Sequence, residues 1–450
     1  MEKIKTVLTL ALPAVFEMFL YMLIWVIDTA FVGNYGGNVA VSAVGFGSEI
    51  IYTIIGIFIF LGVNTGITTM VAQNIGAGRK EVAEEFLAQG LLIGIFLAVL
   101  LSLFLGFFSN HLLTLAGVKG EVLYYGTIYM QIVSIGVFFN ILSSMLNAGL
   151  RGTGNTIVPL IGAIFMNVVA IFLDWVLIFG KFGLPALGVA GSAYATVLSY
   201  LAGFSFTVVY YFRYSQFKLR FNYLMKANRE YLSRIIGLAI PSGLQEAVFN
   251  VARIMTSVFV IHLGSTAFAA SQITIAIESI SFMPGWGFAV AATTLVGQQI
   301  GARKYKTARE YAYLSAFFGM LVMLVGAFIF LTVPEFLMGI FIKEPDTIAL
   351  GSLCLMVAAI EQPFMAIAMV LEGAMKGAGD TKTPFLTAVI ANWVIRIPLM
   401  YYVVFILKLS VPYVWAVMVI QWIFEGLMML YIFQKKSSKW EEKGINLTTG

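Results

Sequence analysis

The chain has 450 residues, 60% of them hydrophobic and only 11% charged, less than half the charged share of a soluble domain, which excludes a water-soluble globular fold. The net charge of +5 carries no message about nucleic acid, because the basic residues gather in short loops between apolar segments. A single cysteine, Cys354, excludes a disulfide framework, and with only His111 and His262 it cannot build a metal site.

Apolar runs near or above the ~20 residues that span a bilayer recur along the chain. They predict twelve membrane helices, at 8–32, 44–72, 83–108, 121–148, 157–180, 187–212, 233–262, 268–298, 308–332, 346–374, 384–407 and 411–433. The first follows Lys3 and Lys5 as the core of a signal peptide would. It carries Glu17 and Asp28 and belongs to an internal repeat, so it reads as a retained helix. At the ends of the second and eighth helices, TTMVAQNIGA (68–77) and TTLVGQQIGA (293–302) share seven identities in ten at an offset of 225. GTGNTIVPLIGAIFMN (152–167) and GAGDTKTPFLTAVIAN (377–392) keep that offset, matching Gly152, Gly154, Thr156, Pro159, Ala163 and Asn167 to Gly377, Gly379, Thr381, Pro384, Ala388 and Asn392. Two blocks with one offset mark a tandem duplication.

The expected organisation is therefore a six-helix bundle at 1–212, a cytoplasmic linker at 213–232, a second six-helix bundle at 233–434 and a cytoplasmic tail at 435–450. Six is even, so both halves insert the same way round, related by an axis along the membrane normal. Of the loop and tail lysines and arginines, 21 fall on the side of the termini, among them Arg79, Lys80, Arg151, Lys376 and those of the 213–234 segment. Only Lys119, Lys181, Lys343 and Lys408 fall on the other, while Arg253 and Arg396 lie inside helices. Both termini and the linker are expected in the cytoplasm.

No non-membrane segment exceeds about twenty residues, too short for a nucleotide-binding domain, and no G-x-x-x-x-G-K-[ST] loop occurs. KGAGDT (376–381) reads as a tight turn between helices. Nothing resembles an enzyme, and uphill transport has to draw on an ion gradient.

A charge at the bilayer centre costs at least ~2.5–3.5 kcal/mol on insertion scales, so intramembrane charges face an interior cavity and act there. The first half holds Glu17, Asp28, Glu49 and Asp174, a sum of −4 with no internal cation. The second holds Glu246, Glu278, Glu361, Glu372 and Glu425 with Arg253 and Arg396, a sum of −3 whose acids have cations to pair with. The first half is the better place for reversible ion binding. Glu17 and Asp28, eleven residues apart, face the same way along one helix, and Asn167 and Asp174, seven apart, share a face of another. Asp28 and Asp174 fall at one depth; a carboxylate pair with an amide nearby can hold a proton or a sodium ion. The acidic interior attracts organic cations, and MAIAMVLEGAM (365–375), with Met365 and Met369, offers a soft wall where it is not ordinary helix packing.

LPAVFEMFLYMLIWVIDTAFVGNYG (12–36) resembles the first helix of the multidrug and toxic compound extrusion (MATE) family. So do VAQNIGAGR (71–79), RGTGNT (151–156), LDWVLIFG (173–180), GVAGSAYAT (188–196) and LEGAMKGAGDT (371–381) in their own places, over residues 5–434. The resemblance implies an all-α membrane protein of two six-helix bundles in a V, exporting amphipathic, mostly cationic compounds in exchange for H+ or Na+. It implies Asp28 and Asp174 as ion carriers, with Na+ held between them if sodium is used, Thr196 in the same pocket and Pro13 as a bending point. Where the family often has an asparagine four residues before the fifth-helix aspartate, this chain has Ala170, with Asn167 one turn away. Another branch's second-bundle acids fall here on Phe249 and Met365, with Glu246 and Glu361 about a turn earlier; these two, with Glu17, Glu278 and Arg396, are the substrate or second-site candidates. No cofactor beyond the coupling ion is expected, and the protein is expected in the cell membrane, as a monomer. A lipid-linked oligosaccharide flippase of the related superfamily is the alternative; it would line its cavity with basic residues and commonly add two helices. A passive channel or receptor fits less well, because duplication with acids on dissimilar halves suits alternating access.

Overall fold

A computed structural model describes residues 2–443, all of its regular structure helical. The first helical run, Glu2–Ile55, passes through a π-helical stretch at Gly56–Val63 into Asn64–Gly76. It is broken once, at Gly37, whose φ of 58° and ψ of −150° no helix contains. Glycine has no Cβ to oppose that conformation. The run thus makes two spans, α1 (2–36) and α2 (38–76). The others are α3 Lys80–Leu115, α4 Gly120–Thr153, α5 Ile157–Phe179, α6 Val189–Arg213, α7 Arg229–Ile261, α8 Ser265–Gly301, α9 Tyr305–Thr332, α10 Pro345–Gly377, α11 Lys382–Ile406 and α12 Val411–Ser437. With the first run taken whole, eleven helices among the described residues are long and apolar enough to cross a bilayer, and the break at Gly37 divides that run to give twelve, as expected. Of the expected tail at 435–450, residues 444–450 lie outside the described residues.

The repeated blocks are repeated because they touch. Thr68 of α2 donates to the Ala148 carbonyl of α4 at 3.1 Å, and 225 residues later Thr293 of α8 donates to the Gly373 carbonyl of α10 at 2.9 Å. A Cβ on Gly152 would lie 2.9 Å from the Thr68 carbonyl oxygen, and one on its mate Gly377 would lie 2.3 Å from that of Thr293. Backbone therefore packs directly on backbone at one crossing per half, as small residues permit in membrane helices. The next turn repeats too. The Asn155 side chain accepts the Val158 N–H at 3.1 Å to start α5, and that of Asp380 accepts the Thr383 N–H at 3.0 Å to start α11.

The chain packs into two compact units, Phe16–Gly243 and, separately, Leu244 onward with the residues up to Val15. The division falls inside α1 and α7, two residues beyond Pro13 and two beyond Pro241. In the first unit a continuous core of Ile67, Val71, Phe86, Leu87, Met130 and Met145 joins α2, α3 and α4. The segment after α6 is held to α3. Glu84 accepts the Lys218 N–H at 2.9 Å and forms an ion pair with the Arg220 guanidinium at 3.0 Å, and the Gln89 amide donates to the Tyr223 and Lys226 carbonyls at 2.8 and 2.9 Å. The start of α7 stays with this unit, where Ile235 fills the notch left by Gly66. The second unit is built on α8, α9, α10 and α12, with Trp415 and Cys354 buried in one cluster and Met323, Met365, Met369 and Trp422 in another.

Candidate ion-coupling site

In the first unit, Asp28 of α1 and Asp174 of α5 lie within each other's electrostatic reach. Asp28 accepts a 2.6 Å hydrogen bond from the Ser192 hydroxyl of α6. Asp174 is 2% exposed, and its Oδ1 has no hydrogen-bond partner among the described residues. Asn167, one face of α5 with Asp174, donates to the Leu20 carbonyl of α1 at 3.1 Å, which leaves its own Oδ1 without a partner as well. Thr196 donates to the Ser192 carbonyl at 3.0 Å and meets the Tyr129 hydroxyl, which also pairs with Ser48 at 3.0 Å. Tyr129 and Tyr200 both feel the charge of Asp28. Asp28, Asp174 and Thr196 thus come together where α1, α5 and α6 face one another, whereas Asn167 holds α1 at Leu20, about two helical turns from Asp28. The aspartates offer carboxylate oxygens with unused lone pairs, donors suited to a proton or a hard monovalent cation. Pro13 lies inside α1 without breaking it; the ring only removes one N–H from the helix ladder.

Glu17 does not belong to this set. It is fully buried and bound by Arg151 at 2.5 Å, with Tyr21 beside the pair. The sum of −4 with no internal cation is thus wrong: Arg151, placed in a turn by its position, reaches back into the bundle, so the first-half sum becomes −3. Its repeat mate Lys376 is also buried and lies beside Glu372 and Glu246, which brings the second-half sum from −3 to −2.

The second unit holds its acids in close pairs. Glu278 and Glu361 sit within hydrogen-bonding reach of each other, as do Glu372 and Glu425. Carboxylates at that separation repel unless a proton or cation lies between them. Glu361 is fully buried and neither of its oxygens receives a donor among the described residues, whereas Glu278 accepts from Gln362 at 3.3 Å. Glu246 accepts from Asn250 at 3.0 Å. Arg396 acts on Glu361, Glu278 and Glu425 by its charge and donates to Asn392 at 3.4 Å. Met365 and Met369 are closed into the core around Trp422, where ordinary packing would put them.

The MatE family model matches residues 13–176 and again residues 241–402, so it reads the duplication as two copies of one unit. The chain belongs to the MATE family. It is 31% identical over 445 residues to a probable multidrug resistance protein NorM of Thermotoga maritima, covering 98% of this chain and 94% of the relative. It is 26% identical to an uncharacterised transporter, YisQ, of Bacillus subtilis, covering 99% and 96%. Among solved structures, an outward-facing multidrug resistance MATE transporter superposes with a TM-score of 0.90 at 21% identity over 98% of this chain and 97% of that one, a likeness of fold. The protein is thus a multi-pass membrane transporter of a multidrug efflux family. Its MATE motifs already contained two residues that sequence reasoning passed over: Ser192 stands in GVAGSAYAT and Arg151 opens RGTGNT. Tyr129 lies in no motif, and only the fold brings it within reach of the Asp28 charge.

Proposed function

We propose that this MATE protein is a secondary antiporter of the cell membrane, working as a monomer with both termini in the cytoplasm. It exports amphipathic, mostly cationic compounds in exchange for H+ or Na+, and Asp28 and Asp174 carry the coupling ion. The observation behind this reading is the neighbourhood of the two aspartates. Each lies within the other's electrostatic reach, neither makes an ion pair among the described residues, and the buried Asp174 Oδ1 has no hydrogen-bond donor among them, which supports a cation or proton as the partner. Glu17, a buried acid on the same helix as Asp28, is already neutralised by Arg151. Ion binding removes the mutual repulsion and desolvation cost of the pair, and α1 can then repack or bend near Pro13 and lower the affinity for a cationic drug. Such coupling is reciprocal: the drug weakens ion binding by the same factor.

The test is drug accumulation in a drug-sensitive bacterium. Asp28→Asn keeps size and hydrogen bonding while removing charge, and it is expected to abolish export with normal membrane insertion. Asp174→Asn should do the same. Glu361→Gln should retain more activity, since Arg396 compensates second-unit charge. Export abolished by Glu361→Gln but preserved in Asp28→Asn reverses the assignment.

A further inference from the structure

Glu372 and Glu425 lie outside the residues named above for ion or substrate binding. They stand on α10 and α12, 9% and 3% exposed, within hydrogen-bonding reach of each other. An amide braces each of them. Gln245 of α7 donates to Glu372 Oε2 at 2.7 Å, and Gln421, one turn before Glu425 on α12, donates to Glu425 Oε2 at 2.5 Å. Four side chains therefore bridge three helices of the second unit. An ionised carboxyl group only accepts, so the contact between the two acids is a hydrogen bond only when one of them carries a proton. Two bare carboxylates at that separation repel, and burial leaves no water to screen them.

The surrounding charges decide which acid carries it. Lys376, one turn beyond Glu372 on α10, acts on Glu372 by its charge, with Glu246 of α7 opposing. The cation that acts on Glu425 is Arg396 of α11, whose charge also serves Glu361 of α10 and Glu278 of α8, and which Arg253 of α7 opposes. The carboxylate therefore belongs at Glu372 and the O–H at Glu425. A second observation points the same way. Gln421 is fully buried, its amide nitrogen serves Glu425, and the oxygen on the same carbon has no donor among the described residues. A proton on Glu425 gives this corner the donor it lacks, directed to Glu372 or, with the amide turned over, to the Gln421 oxygen.

We propose that Glu425 and Glu372 form a proton-binding site of the second unit, in which Glu425 holds the proton at neutral pH and donates it to the Glu372 carboxylate, tying α12 to α10. A proton needs no cavity, and it leaves the pair with one negative charge instead of two beside Lys376 and Arg396. The site is independent of where the coupling ion binds, because Asp28 and Asp174 belong to the other unit.

The experiment is infrared spectroscopy of the purified full-length protein in detergent at neutral pH, in H2O and in D2O. It reads the carbonyl stretch of protonated carboxylic acids and the carboxylate stretches as differences between the unmutated protein and a variant, which cancels every unchanged acid. Glu425→Gln is expected to lose a D2O-sensitive acid band with no loss of carboxylate absorbance. Glutamine copies the shape of the protonated acid and keeps a donor for Glu372, so this variant should also melt at the temperature of the unmutated protein. Glu372→Gln, which removes the carboxylate beside Lys376, should melt lower. Carboxylate absorbance lost in Glu425→Gln, or failure of that variant to fold, overturns the proposal. Equal tolerance of both substitutions overturns the placement of the proton on Glu425. An acid band that disappears on adding sodium chloride, but not choline chloride, at fixed pH assigns the pair to a metal cation and overturns the proton.

Discussion

Arg151→Met separates a buried structural charge from a topogenic surface one. The substitution keeps an apolar stem of similar length and removes the guanidinium that binds Glu17 at 2.5 Å. Glu17 is 0% exposed and the Arg151 side chain 12%, so the carboxylate left behind has no water to replace its partner. Deleting one member of a buried ion pair costs about 3–5 kcal/mol, and the slight exposure of Arg151 puts this pair near the lower end, about 3 kcal/mol. A surface charge would cost no more than about 0.5 kcal/mol. Replacing both partners removes the stranded charge, so Glu17→Gln combined with Arg151→Met should recover most of the loss. The assay is a double-mutant cycle on heat stability in detergent, read as the fraction of monodisperse protein surviving a temperature series. A coupling of at least about 1 kcal/mol is expected between the two positions. The reasoning fails if Arg151→Met is as heat-stable as the unmutated protein, or if the double variant is no better than Arg151→Met alone.

A reporter fused after Trp440 is expected to be active only in its cytoplasmic form, and periplasmic activity there would overturn the even span count. Drug affinity of the purified protein should fall as pH drops or as sodium rises at fixed pH, while Asp28→Asn should respond to neither; equilibrium binding of a fluorescent cationic dye measures both. Asp380, outside the spans, is held below the usual aspartate range: burial alone would raise it, but the Lys436 ammonium at 2.7 Å and the Thr383 hydroxyl and N–H outweigh burial. A lowered folded-state value means that this contribution is present above the unfolded aspartate value and disappears as pH falls through the lowered one. Lys436→Gln should therefore reduce stability at neutral pH and flatten its acid dependence, and melting curves from neutral to strongly acidic buffer measure this.

Span number, the duplication and the family were legible in the residues alone, because each rests on a local property. A bilayer demands about twenty apolar residues whatever the neighbours are, and a copied backbone crossing keeps Thr68 with Gly152, and Thr293 with Gly377, wherever the copies lie. Asp28, Asp174, Asn167 and Thr196 could be named because helical periodicity and motif order align them. Their partners could not. Ser192 and Tyr129 reach the site only through the packing of α4 and α6 against α1, contacts that skip a hundred residues or more of chain. Arg151 shows the limit most clearly: its position in a basic turn predicts a solvated charge, but a long side chain can fold back along its helix, and only the depth of Glu17 across the bundle decides that it does. The same holds for Arg396, which lies in a π-helical stretch at Ile390–Arg396. Each wide turn rotates the residues beyond it away from the 3.6-residue pattern, so the face it presents is set by the fold, not by counting.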